Sequence, residues 1–307
     1  MKQTHKKIKE ITCKSACNKI KRSMPYKWDL NIYRGCEHSC IYCYALYSHK
    51  YLESNEFFSD IHVKTNIVEE FEKQLSRPSW KGELINIGGV TDSYQSIEEE
   101  YELMPKILQI LIKYKNPAII STKSDLPLRD IDLINELSEI TYINIASSIT
   151  SFDEDIRSAI EPNAISSQKR IAMIKKIRKE TNASTGLHFM PIIPHVTDSY
   201  ENIDSIFKNA KIANVHYVLP SVLNLFGKTR PYFYKSIKKD FPDSYDSVKS
   251  SYINGRVHKQ YSRDLYKIIN TIESKYSVST SYIRPIKEKM KFYNKQENSN
   301  QSTLFDY

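Results

Sequence analysis

An α/β fold built on a parallel sheet is what the sequence predicts, and three observations carry it. Apolar runs of about four to eight residues recur along the chain, helical stretches of about 10 to 18 residues lie between them, and the two alternate. Six such strands suit either a doubly wound open sheet or a partial barrel. A dinucleotide-binding version is disfavoured, because only seven glycines exist and no glycine fingerprint follows the first strand.

The elements follow in order. A basic leader, residues 1–29, precedes a short strand over Leu30 to Arg34 that stops at Gly35. A cysteine-bearing loop comes next, then helices over Ala45 to Leu52 and Ile67 to Leu75. The second strand, Leu84 to Ile87, ends in Gly88 and Gly89. It leads to a helix over Glu98 to Tyr114 with Leu103, Ile107, Ile110 and Leu111 on one face. The series continues as strand Pro117 to Ser121, helix Leu128 to Leu137 and strand Tyr142 to Ala146. Helix Ser166 to Lys179, strand Gly186 to Ile193, helix Tyr200 to Ala210 and strand His216 to Leu219 complete a core at 30–226. Residues 227–293 change to basic, Tyr-rich helical segments, and 294–307 read as a flexible tail.

Composition narrows the class. With 40% hydrophobic and 11% aromatic residues the chain is too apolar for global disorder. No apolar run nears the roughly 18 residues of a membrane span, and no apolar signal-peptide core follows the N-terminus, so a cytoplasmic protein is expected. The net charge of +9 is unevenly placed: residues 1–35 carry ten Lys and Arg against two acids, and 227–295 carry 16 against six. Two basic flanks around a mildly acidic centre suit a polyanionic partner, or simply solvated lysines. All five cysteines fall within the first 43 residues. That clustering argues against a disulfide framework and for a local metal site in a reducing compartment.

Cys36, Cys40 and Cys43 have the spacing C-x3-C-x2-C on the loop after the first strand. Spacers this short keep three thiolates close enough to share one metal centre. Structural zinc would need a fourth ligand, for which His38 is the candidate. A four-iron cluster would instead keep one iron free of protein, an open position for chemistry. His38 lies between the first two cysteines and would have to bend back sharply, and no second ligand pair follows downstream, so the open cluster is favoured. Cys13 and Cys17 could share a second metal with ligands from elsewhere or form a disulfide, but two ligands are too few for a further cluster and they read as free thiols.

The run Leu30-Asn31-Ile32-Tyr33-Arg34-Gly35-Cys36-Glu37-His38-Ser39-Cys40-Ile41-Tyr42-Cys43-Tyr44-Ala45 resembles the radical S-adenosylmethionine (SAM) superfamily. More narrowly it resembles the spore photoproduct lyase-like branch, also called DNA repair photolyase-like, with likeness over about residues 13–225. The resemblance implies a partial (β/α)6 TIM-type barrel and a [4Fe-4S] cluster on Cys36, Cys40 and Cys43. It also implies SAM chelating the free iron, reductive cleavage to a 5′-deoxyadenosyl radical, and a low-potential electron donor of flavodoxin or ferredoxin type.

Barrel chemistry sits at the carboxyl ends of strands, so the resemblance implies SAM contacts there and from Tyr42. Gly88 and Gly89 would let backbone carbonyls approach the ammonium group, with Thr91 and Asp92 matching the branch's Thr-Asp. Lys123 would pair with the SAM carboxylate, Ser147 and Ser148 would hold carboxylate or ribose, and Pro191 lies on a strand beneath the adenine. Each has a plainer reading: Asp92 as a turn cap, Lys123 as a surface lysine, Met190 to Pro194 as buried core. Arg157, Glu161 and Arg170 resemble recurring polar positions of the branch or form ordinary helix-surface pairs. One departure matters. Spore photoproduct lyases carry a hydrogen-donating cysteine near the second-strand turn, and here no cysteine follows Cys43. Tyr94 is a candidate donor in its place. Arg230, Tyr232, Tyr234, Lys238, Lys239, Arg256 and Lys259 mix cations with aromatics in a manner suited to a nucleic-acid substrate. The alternative from a different class is a zinc-stabilised nucleic-acid-binding protein without catalysis, whose affinity would depend on salt.

Overall fold

The computed structural model describes residues 7–21, 24–51 and 56–302. Five short strands come first: β1 (Lys7–Ile11), β2 (Cys17–Lys19), β3 (Trp28–Leu30), β4 (Tyr33–Arg34) and β5 (Asp60–Lys64). The core follows as α1 (Ile67–Leu75), β6 (Ile85–Ile87), α2 (Glu98–Tyr101), α3 (Leu103–Lys113), β7 (Ala118–Thr122), α4 (Ile131–Ile140) and β8 (Ile143–Ser148). It continues as α5 (Glu154–Ile160), α6 (Ser167–Glu180), β9 (Ser184–Ile192), α7 (Tyr200–Ile212) and β10 (Tyr217–Val222). The C-terminal extension contains α8 (Thr229–Asp240), α9 (Tyr245–Ser250), β11 (Tyr252–Ile253), β12 (Arg256–Val257), α10 (Lys259–Tyr276) and α11 (Ile283–Ser302).

The main sheet has seven strands in the order β10-β9-β8-β7-β6-β3-β2. All are parallel to their neighbours except β2, which runs antiparallel to β3 with Cys17 opposite Leu30. From β3 to β10 the strands follow chain order without reversal, so the sheet lacks the switch point of a doubly wound fold. Every residue of β8 is buried, as expected for a strand covered on both faces. Helix starts are set by side chains: Asp153 accepts from the amides of Asp155 and Ile156, Ser166 from Lys169, and Ser199 from Asn202. Among the described residues no helix is long and apolar enough to cross a membrane.

Some expectations are corrected. The strand anticipated over Leu30 to Arg34 is two. Leu30 ends β3 in the main sheet, whereas Tyr33 and Arg34 pair antiparallel with β5 in a separate three-stranded sheet, order β1-β5-β4. Asn31 marks the break, because its side-chain oxygen accepts from the Val90 amide at 2.9 Å while Ile32 O accepts from the Lys64 amide at 3.3 Å. The helix expected over Glu98 to Tyr114 is interrupted at Glu102, which has φ 45°. There the buried Glu98 carboxylate takes the amides of Leu103 and Met104 at 3.2 and 2.8 Å, competing with the helical ladder. Residues Tyr44–Tyr51 form a 3-10 helix, and Leu52, the last residue of the helix expected there, lies outside the described residues. Helix α11 runs on to Ser302, and residues 303–307 of the expected tail lie outside the described residues.

Candidate active site on the cysteine loop

Residues 36–43 leave β4 as a loop. Gly35 makes the exit possible: its φ is +84°, and a Cβ there would come within 2.6 Å of Asp60 O. Cys36 donates its amide to Phe57 O at 3.3 Å, and the amide of Cys43 turns back to Cys40 O at 3.2 Å. All three cysteines are free of disulfides.

Three walls enclose the loop. The turn after β6 supplies Gln95, whose Oε1 accepts from the Glu37 amide at 2.9 Å, and the Ile97 amide, which donates to Glu37 Oε2 at 2.9 Å. On the same turn Asp92 is a hub. It accepts from His38 Nε2 at 2.8 Å, Thr122 Oγ1 at 2.8 Å, the Lys123 amide at 2.8 Å and the Tyr94 amide at 2.9 Å. Burial works against its charge, yet His38 and these donors win and hold the carboxyl down at about 2. The second wall is the α5–α6 turn, where Ile160 O accepts from the Ile41 amide at 3.0 Å and Glu161 accepts from the Tyr42 hydroxyl. The third comes from the extension: Thr229 Oγ1 at the start of α8 donates to Cys43 O at 2.7 Å.

Burial pushes the Cys40 thiol up to about 12, against the pull of nearby Lys123 and Arg170. Cys36 is raised well above its ordinary value by burial, then by Asp92 and by the charges of Cys40 and Cys43. Burial raises Cys43 as well. Three thiols whose ionisation is disfavoured chiefly by burial are a donor set that a cationic metal centre would hold as thiolates. On this ground the three cysteines fit a thiolate-bound metal group, a multi-iron cluster among them. Among the described residues no three His, Cys, Asp or Glu side chains converge on a single metal ion. A several-iron group is larger and does not require that convergence. His38, the candidate fourth zinc ligand, spends its Nε2 on Asp92.

The structure gathers Tyr42, Thr91, Asp92 and Lys123 at the loop. Tyr42 is 7% exposed, and Lys123 Nζ lies 5.7 Å from its ring centroid. Thr91 Oγ1 donates to Gly35 O at 2.5 Å. Gly88 has φ +87°, a conformation that favours glycine, and a Cβ on Gly89 would sit 2.2 Å from Asp29 Oδ2, so a side chain there would displace the Asp29 carboxylate. The Gly89 carbonyl accepts from the Tyr44 hydroxyl. Ser147 turns its hydroxyl onto Thr122 O at 3.2 Å, and the Ser148 carbonyl accepts from Arg170 NH1 at 2.8 Å. Pro191 lies near the carboxyl end of β9, after a cis peptide bond. Tyr94 is buried and donates to Asp130 Oδ2 at 3.1 Å, beneath the turn. Of the positions weighed as helix-surface pairs, Glu161 and Arg170 are instead buried at 0% exposure and form an ion pair at 2.5 Å. Gln95, Asn163 and Thr229 were not legible as loop partners, since no local spacing ties them to residues so distant in sequence. Cys17 is buried within the core and Cys13 packs against it.

The model of the radical SAM superfamily matches residues 30–205. The chain belongs to this superfamily. It is 34% identical over 253 residues to an uncharacterized protein of Mycobacterium tuberculosis, covering 80% of this chain and 74% of that one. It is 30% identical over 250 residues to an uncharacterized protein of Methanocaldococcus jannaschii, covering 81% and 87% respectively. Its fold is similar to that of spore photoproduct lyase complexed with dinucleoside spore photoproduct, with TM-score 0.65 at 14% identity over 88% of this chain and 79% of that one. The matched segment of this radical SAM chain contains the three cysteines and two walls of their loop; the third wall, at Thr229, lies beyond it.

Proposed function

We propose that the chain is an enzyme that holds a [4Fe-4S] cluster on Cys36, Cys40 and Cys43 and binds SAM at the iron left free, inside a partial (β/α)6 barrel. When bound, the two groups supply the superfamily's chemistry, reductive cleavage of SAM to a 5′-deoxyadenosyl radical. The observation that carries the reading is the walled loop itself: three free thiols, sharing one buried environment with Lys123 and Arg170, in a chain of this superfamily.

The chain's own residues bind, orient and exclude water. Lys123, whose Nζ lies over the Tyr42 ring, would pair with the SAM carboxylate. Gly88 and Gly89 bring backbone close to the ammonium group, Asp92 and Thr91 hold that turn in register with the cysteine loop, and Tyr42, Ser147, Ser148 and Pro191 line the remainder. Burial keeps water from a reactive radical. The electron comes from a low-potential donor of flavodoxin or ferredoxin type. The basic flanks support a nucleic-acid substrate. With no cysteine after Cys43, the hydrogen donor differs from that of spore photoproduct lyases.

Anaerobic reconstitution with iron and sulfide, followed by dithionite and SAM, tests the reading. The wild type is expected to be brown and to release 5′-deoxyadenosine, and Cys36→Ala, Cys40→Ala and Cys43→Ala each to fall to background. A wild type that takes up zinc fully and iron not at all ends it. A gel-shift titration at low salt, showing no binding to DNA or RNA, removes the nucleic-acid substrate alone.

A further inference from the structure

The turn between α5 and α6 holds the cysteine loop along most of its length. The Ile41 amide donates to Ile160 O at 3.0 Å and the Asn163 amide to His38 O at 3.3 Å. Asn163 Nδ2 donates to Glu37 O at 2.9 Å and meets Ser39 Oγ at 3.0 Å. Glu161 accepts from the Tyr42 hydroxyl, from Thr150 Oγ1 at 3.2 Å and from Arg170 NH1 at 2.5 Å. Arg170 is itself anchored by Ser148 O at 2.8 Å and Ile165 O at 2.8 Å. Three residues of this turn, Ile160, Glu161 and Asn163, thus reach Glu37, His38, Ser39, Ile41 and Tyr42.

Both members of the Glu161–Arg170 pair are fully buried. A buried ion pair contributes little net stability compared with an apolar pair of the same volume, because desolvation offsets the attraction. What it does supply is a fixed carboxylate at Tyr42, the residue flanked by Cys40 and Cys43.

We propose that the Ile160–Asn163 turn is the seat of the metal-bearing loop and that Glu161 is its positioning residue. Its carboxylate fixes Tyr42, and its charge, balanced by Arg170, bears on the redox balance of the group the cysteines hold. The inference rests on the cluster reading for its redox half and on hydrogen bonds alone for its structural half. Neutralising Glu161 removes one negative charge beside the cysteines and leaves Arg170 uncompensated. The reduced, more negative state of the group is then favoured.

The test uses the full chain, reconstituted without oxygen, with Glu161→Gln, the neutral pair Glu161→Gln/Arg170→Met, and Tyr42→Phe. In an EPR-monitored titration, Glu161→Gln is expected to raise the reduced-to-oxidised ratio at fixed potential about tenfold, near 59 mV for one electron. The neutral pair is expected to return toward wild type, which a packing defect would not do. In metal-free protein, hydrogen exchange at the Ile41 amide is expected to quicken in Tyr42→Phe and Glu161→Gln. Tyr42→Phe removes a single hydroxyl and preserves the fold if the charge variants do not. Wild-type potential together with wild-type Ile41 protection in Glu161→Gln and Tyr42→Phe overturns the proposal. If the wild type itself takes up no iron, the cluster reading has failed, and the exchange measurement still decides the seat.

Discussion

Gly186, the third residue of β9, has a ring where a side chain would go: a Cβ there would lie 2.1 Å from Tyr217 Cζ. Tyr217 cannot step aside cheaply, because its hydroxyl accepts from Asn144 Nδ2 at 3.0 Å and meets His188 Nε2 at 3.1 Å. Gly186→Ala is therefore expected to cost about 1–3 kcal/mol, the range of overpacked cores, read as a lower urea midpoint with unchanged slope. A midpoint within error of wild type would show that the ring can shift. Asp92→Asn should cost about 3 kcal/mol, since it leaves a buried histidine and several donors without their charged acceptor; thermal melts of metal-free protein measure it. At this scale the grouping of three cysteines on one loop was readable, because two- and three-residue spacers cannot carry them far apart. Glu161 and Arg170 were not. Nine residues apart on a helix–turn–helix, a Glu and an Arg look like solvated charges, and only tertiary packing reveals that both are sealed under β8 and the loop.

Among the elements, the long amphipathic helices were located to within a few residues because their 3.6-residue period is strong: α1 falls at Ile67–Leu75 as expected. The strands of the first third were poorly legible. β1 is exposed at four of its five positions, so it shows no alternation, yet it pairs in parallel with β5 from Lys7 opposite Asp60 to Ile11 opposite Lys64. The basic leader is thus a structural edge as well as a charged flank. Asn66 fastens it, accepting from the Cys13 amide at 2.8 Å and donating to Cys13 O at 2.9 Å. Asn66→Ala should lose about 1–2 kcal/mol and speed tryptic cleavage at Lys14 and Lys19 while the core stays resistant. Equal cleavage rates would mean that the leader is held elsewhere. Helix α5 was missed because its seven residues are short and led by acidic groups, with Asp153 capping from outside.

For the molecule as a whole, acid should be the weak side. Burial, helped by Lys123, lowers His188 to about 3, and burial with Arg178 and Lys289 lowers His216 to about 4. Both groups start from 6.5 when unfolded, so the unfolded chain binds the extra protons. Their contribution is complete above pH 6.5 and is lost as pH falls toward 4 and then 3, at about 1.4 kcal/mol per pH unit for each. Urea melts of metal-free protein at pH 7, 6 and 5 check this, and a flat unfolding free energy would refute it. The succession of strands was legible in outline because each strand–helix unit repeats the same pattern. The way the extension folds back on Cys43 was not, since a threonine at a helix start leaves no trace of its target. The distance between loop and seat also bears on biosynthesis. Tyr42 and Glu161 are separated by 119 positions, so a growing chain displays its thiols long before the floor beneath them exists. On the cluster proposed above, iron delivered at that stage would meet bare ligands open to oxygen and to competing metals, so loading belongs after residues 160–163 have been made and have closed on the loop.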